Sequence, residues 1–106
     1  MEDIDVVQLY DHVVATCRKL FIAKNSDYGS AWLDMRPESI TDIIGYKQQR
    51  AKRMEELRNQ GKNPKVSEGI GAEFMDIFNY SIFELILLGL QGMGPFHYFQ
   101  GKEWKK

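Results

Sequence analysis

The sequence predicts an all-α fold of three main helices, and three observations carry that prediction. Apolar residues recur at alternating spacings of three and four along three segments. The connections between those segments are dense in Asn, Ser, Asp, Gly and Pro. No stretch alternates apolar and polar residues as a half-buried strand would. A chain of 106 residues is read as one domain with a single modest core, about residues 4–91, followed by an aromatic and basic tail at 92–106. A helical chain of this size often completes its core by pairing with a copy of itself, so a homo-oligomer is expected.

The first helix is expected from Ile4 to about Lys24, with Val6/Val7, Tyr10, Val13/Val14, Cys17 and Leu20/Phe21 forming one apolar face. Asp3 or Asp5 supplies the side-chain acceptor that caps its start. The stretch Asn25-Ser26-Asp27-Tyr28-Gly29-Ser30-Ala31-Trp32 is expected to end it, with its aromatic residues folded onto the core.

Arg36-Pro37-Glu38-Ser39 reads as the start of a second helix, because proline is tolerated in the first turn and an acid there meets the positive end of the helix dipole. This helix runs from Pro37 to about Asn59. Its stripe is Ile40, Ile43/Ile44, Lys47, Arg50/Ala51, Met54 and Leu57, so two cations stand on a face that should be apolar.

Gln60 to Lys65 is a connection with strong stop signals. Ser67-Glu68 opens a third helix extending to about Gln91, with Ile70, Phe74, Ile77/Phe78, Ser81/Ile82, Leu85 and Leu88 along one side. Phe83, Ile86, Leu87 and Leu90 make its second half apolar all round, as in a central helix or one covered by a partner. The aromatics of the tail, Phe96 to Phe99, are expected to pack against the body or a neighbour.

A formal net charge of -1 gives no overall attraction to nucleic acid or anionic membrane, so any binding must come from a local site. The interspersed charges of Lys47 to Arg58 read as a solvated face rather than a nucleic-acid stripe. Cys17 is the sole cysteine, which rules out an intramolecular disulfide and suits a reducing compartment. Its reading is that of a small apolar core residue. The acidic N-terminus lacks the basic and apolar regions of a signal peptide. The run Ile82 to Leu90, broken by Glu84, is too short to span a bilayer. A soluble cytoplasmic protein is therefore expected. His12 and His97 are far apart, and there is no zinc spacing, nucleophile–base arrangement, Walker-type loop or dinucleotide fingerprint.

Two groups of polar residues remain. Glu73 and Asp76 lie three apart on the third helix, which sets their carboxylates on adjacent turns of one face, where hard oxygen ligands suit magnesium. If the second and third helices form an antiparallel hairpin centred near Asn63, Arg53 lies level with Glu73 and Arg50 with Asp76, while Lys47 finds no partner. Two readings stand: a salt-bridged clasp, or a site in which arginines and Lys47 hold phosphate and the acids hold magnesium. The second group is Lys24-Asn25-Ser26-Asp27-Tyr28-Gly29, where Lys24 reaches a phosphate and Tyr28 or Trp32 stacks on a base, or where a structured turn is all that is encoded.

Lys24-Asn-Ser-Asp-Tyr-Gly29, Trp32, Met35-Arg36-Pro37, Asp42, Lys47 to Arg53 and Glu68 to Tyr80 together resemble the nucleotide modification associated domain 1 family of bacteria and phages. The resemblance spans roughly residues 20–90. Its most specific pieces are the Lys-x-x-Asp-Tyr-Gly turn and the segment Glu73-Phe-Met-Asp-Ile-Phe-Asn-Tyr80. It implies a helical fold and a role tied to deoxynucleotide or DNA-base modification, and it points to Lys24, Asp27, Tyr28, Arg36, Asp42, Lys47, Arg50, Glu68, Glu73 and Asn79.

The chain is also distantly similar to the MazG-like all-α nucleoside-triphosphate pyrophosphatases, which hold magnesium with a Glu-x-x-Glu pair and a Glu-x-x-Asp pair. Glu73-Phe-Met-Asp76 matches the second pair, whereas Arg50-Ala-Lys-Arg53 stands where the first should be. Asp42 or Glu68 would then have to supply the missing oxygens. The resulting expectation is a homo-oligomeric binder of a phosphorylated (deoxy)nucleoside through Lys24, Asp27, Tyr28, Trp32, Arg36, Lys47, Arg50 and Asn79. Hydrolysis assisted by magnesium at Glu73 and Asp76 is its extension. The alternative is an adaptor that assembles through its apolar third helix.

Overall fold

A computed structural model describes residues 3–29, 31–62 and 69–93, with the side chain of Tyr28 outside that set. The described residues are helical throughout, with no strand among them: α1 (Val6–Tyr28), a single 3-10 turn (Ala31–Asp34), α2 (Pro37–Asn59) and α3 (Gly69–Leu90). The tail residues from 94 onward, Glu68 and the expected hairpin centre at Asn63 lie outside the described residues.

Each helix end has a local cause. Asp5 caps α1, its Oδ1 accepting from the Gln8 amide at 3.1 Å. The helix does not stop at Lys24 as expected but continues through Asn25, Ser26 and Asp27 to Tyr28, and ends where Gly29 turns to φ +71°. The poor helix propensity of Asn, Ser and Asp amounts to a few tenths of a kcal/mol each, which packing of the preceding turns overrides. Pro37 opens α2 as expected. Both α2 and α3 close in the same way. Lys62 N donates to Leu57 O and Gly61 N to Arg58 O, with Gly61 at φ +75°; Met93 N donates to Leu88 O and Gly92 N to Gly89 O, with Gly92 at φ +74°. These are Schellman ends, and they need the left-handed backbone that glycine adopts without cost.

α2 and α3 pack extensively as an antiparallel hairpin, from the Thr41–Glu84 hydrogen bond at one end to the Arg50–Glu73 pair towards the connection. Ile40, Ala51 and Met54 from α2, Leu87 from α3 and Cys17 from α1 form the buried apolar core. No described helix is long and apolar enough to cross a membrane.

Two expected faces are corrected by this packing. On α1 the C-terminal part meets α3, through Cys17, Phe21 and Lys24. Val6, Val7, Tyr10 and Val13 are between 55% and 71% exposed, although they belong to the same stripe as buried Cys17. On α3 three members of the expected stripe, Phe74, Ile82 and Leu85, are exposed, while Ile70, Ile77, Phe78, Ser81 and Leu88 are half-buried. The inward face instead runs through Glu73, Asp76, Tyr80, Phe83 and Leu87, a three-four alternation whose first members are carboxylates.

Candidate functional site

The inward face of α3 sets two acids, an amide and two aromatic rings in one column, and the site is built where α1, the 3-10 turn and α2 close on it. At its lower end lies a charged seam. Lys47 Nζ is 3.1 Å from Asp76 Oδ2 and 3.9 Å from Glu73 Oε2, and Arg50 Nε is 3.2 Å from Glu73 Oε1. From α1, Lys24 Nζ reaches Asp76 Oδ1 at 3.2 Å.

The seam is thus offset by one turn from the expected register. Glu73 meets Arg50 rather than Arg53, Asp76 meets Lys47 rather than Arg50, and Arg53 is exposed. Lys47, expected to be unpartnered, has the most partners of the three cations that reach the seam. The midpoint of a connection does not fix helix register, because its residues need not rise equally on the two sides; the seam sets the register.

Glu73 is 5% exposed, and its Oε2 accepts no hydrogen bond from a described residue. Its charge is compensated across space by Lys47 rather than by a full set of donors. Burial pushes the Asp76 carboxyl up, but hydrogen bonds and charge from Lys47 and Lys24 outweigh it and hold it below the ordinary value.

Above the seam is a cavity of about 340 Å³, at the lower end of small-molecule site sizes. One wall is aromatic. Trp32 and Phe83 stack with centroids 4.4 Å apart and planes 14° from parallel, and Phe21 and Tyr80 meet Phe83 at 5.3 and 5.5 Å. Its polar edge is formed by Lys24, Asn25, Asp76 and Asn79. Asn79 is buried, and its Nδ2 donates to the Cys17 carbonyl at 3.0 Å, which fixes α1 over the middle of α3. Trp32 Nε1 is buried with no acceptor among the described residues.

Of the residues expected from the sequence, Lys24, Trp32, Asp76 and Asn79 line this cavity, while Lys47, Arg50 and Glu73 form the seam behind it. Asp27 and Asp42 are exposed on α1 and α2, and neither lines the cavity. Arg36 is exposed and pairs with Glu38 at 3.1 Å, holding that carboxyl below its ordinary value. The Tyr28 side chain and Glu68 lie outside the described residues. Phe21, Asn25, Gly29, Ala31, Met35, Ile43, Tyr80 and Phe83 complete the lining, and none of them was among the residues expected to bind a ligand. Phe83 and Tyr80 stand seven and four residues beyond Asp76, so a stripe begun on the acids would have found them.

A magnesium ion does not fit this donor set. Two carboxylates already face three cations, and among the described residues no group of three or more acids, histidines or cysteines gathers for a metal.

A family model described as nucleotide modification associated domain 1 matches residues 24–88, and the chain belongs to that family. The match covers Lys24, Trp32, the seam, Tyr80 and Phe83, whereas Phe21 of the aromatic wall precedes it. No curated protein and no solved structure matches the chain.

Proposed function

We propose that this member of the nucleotide modification associated domain 1 family binds a phosphorylated (deoxy)nucleoside in the cavity beside the seam. The observation that carries the reading is the cavity's two-sided lining. A stacked aromatic wall offers a planar base an apolar surface, and Lys24 stands on the polar edge with its side chain 54% exposed. Lys24 is the cation that can turn from Asp76 to an incoming phosphate at low cost, because Lys47 remains on Asp76. Lys47 and Arg50 then act from behind, keeping Glu73 and Asp76 neutralised so that the edge does not repel an anion. Binding is proposed here without a hydrolytic step, because the acids that would hold a metal are engaged by cations.

The second reading is an adaptor that assembles through α3. It is favoured by the pairing of both Lys47 and Arg50 with protein acids and by the exposure of Phe74, Ile82 and Leu85 on the outer face of that helix.

A thermal-shift titration against deoxynucleoside mono-, di- and triphosphates, each with and without magnesium, separates the two. A ligand that binds only the native state raises the melting temperature with concentration. The nucleotide reading expects a shift that Lys24→Ala abolishes while the unliganded melting temperature stays within a degree or two. No shift with any of these compounds would defeat it.

A further inference from the structure

Resting on the proposed binding of a nucleotide in the cavity, we infer that the site takes a nucleoside monophosphate and that Asp76 selects against di- and triphosphates. The balance of charge is the first ground. Lys24 is the only cation among the described residues that line the cavity. Behind it Lys47 and Arg50 stand against Glu73 and Asp76, so two cations and two carboxylates balance. Lys24 therefore supplies the one surplus positive charge of the group. A phosphate monoester carries about two negative charges at neutral pH. Part of that charge can stay in water, because the Lys24 side chain is 54% exposed. Each further phosphate adds negative charge that no described residue of the lining meets.

The position of Asp76 is the second ground. It lines the cavity itself, and its Oδ1 is 3.2 Å from Lys24 Nζ. A phosphate oxygen at hydrogen-bond distance from that ammonium lies within about 6 Å of the carboxylate. Against the effect of burial, Lys47 and Lys24 keep the Asp76 carboxyl below its ordinary value, so it is charged at neutral pH. Once Lys24 turns to the ligand, Asp76 keeps Lys47 at 3.1 Å, and Lys47 is shared with Glu73. That balance tolerates one phosphate. A longer anion meets growing like-charge repulsion in a setting where water screens little, the Asp76 side chain being 17% exposed.

The size of the cavity is the third ground. About 340 Å³ stands at the lower end of small-molecule sites and suits one base, one sugar and one phosphate. Nor does the donor set hold a metal that would offset a polyphosphate tail, because both carboxylates already face cations.

The test is isothermal titration calorimetry of the full chain with the four common deoxynucleosides and their mono-, di- and triphosphates. EDTA is present, so that the triphosphates keep their full charge. For the best-bound base, the monophosphate is expected to bind at least about tenfold more tightly than the triphosphate, with the diphosphate between them. The nucleoside without phosphate is expected to bind more weakly than the monophosphate. Asp76→Asn keeps the shape and removes the repelling charge, and is expected to bring the triphosphate within about threefold of the monophosphate. Ala31→Lys adds a second cation at an exposed position of the cavity lining, away from the seam. It is expected to narrow the gap in the same direction, which keeps the charge argument testable where Asp76→Asn folds poorly. Added magnesium neutralises part of the triphosphate in solution and is expected to narrow the gap without reversing it. A triphosphate that binds the wild type as tightly as the monophosphate, with or without magnesium, overturns this inference and leaves the nucleotide reading standing. A gap that neither variant narrows overturns the selection by charge. No binding of any of these compounds overturns both.

Discussion

Lys47 Nζ lies 3.1 Å from Asp76 Oδ2, on the seam where α2 and α3 meet, and the contact sets the register of the two helices. The lysine is largely enclosed, with 22% of its side chain exposed, and the acid with 17%. The sequence places this cation on an otherwise apolar face; the fold supplies the two carboxylates that make its burial tolerable.

Lys47→Met keeps the aliphatic stem but removes the charge between Glu73 and Asp76. The expected cost is about 2 kcal/mol, because two partly or wholly buried carboxylates lose a shared counter-charge. Arg50→Met should cost less, as the arginine is 52% exposed and water can replace part of its contact. Urea denaturation of both variants checks the order, and equal or negligible losses would show that the seam does not support the fold.

Asp76 predicts an acid-sensitive component of stability. Its carboxyl is held below the ordinary value of about 3.9 in the native chain, so the folded state binds its proton less readily than the unfolded chain. The contribution is therefore complete above about pH 5 and is lost as pH falls below about 4 through the lowered native value. Melting temperatures measured down the acid range should show the wild type approaching Asp76→Asn. Parallel curves at constant separation would contradict this.

Asn79 gives a test in which the sign of the chemistry matters more than size. Its Nδ2 donates to the Cys17 carbonyl at 3.0 Å. Asn79→Ala removes one buried hydrogen bond and should cost about 1 kcal/mol. Asn79→Asp is nearly isosteric but sets an acceptor against an acceptor, and should cost about 2 to 3 kcal/mol at neutral pH. An aspartate variant as stable as the alanine variant would mean that the amide does not hold α1 to α3.

Cys17 should be unreactive in the native chain. It is 1% exposed, and burial pushes its thiol up from the ordinary value, so little thiolate forms and reagents cannot reach it. Labelling by an aromatic disulfide reagent should proceed only as fast as α1 detaches or the chain unfolds, and should accelerate in Asn79→Asp. Rapid labelling of the wild type would show that α1 is not seated on α3.

The helical fold class, the start of α2 at Pro37 and the end of that helix were legible in the sequence, because proline, glycine and three-four spacing act within a few residues of one another. The membership of the cavity was legible only in part. Lys24, Trp32 and Asn79 drew notice as polar or aromatic residues in unusual places, but Phe83 was hidden in a helix half that is apolar all round, where periodicity cannot choose a face.

What the sequence determined by itself was local: which segments are helices, where glycines stop them, and which charges stand where apolar residues should. What only the tertiary structure decided was the pairing. The inward stripe of α3 begins on Glu73 and Asp76, so a search for apolar residues selects the neighbouring face. The partner of each acid depends on an offset of one turn between helices, which no residue encodes alone. Spacing along a chain fixes which side chains share a face, but the free energy that selects a partner face belongs to both surfaces together. For that reason Lys47, without a partner in the sequence, is the residue that closes the seam in the fold.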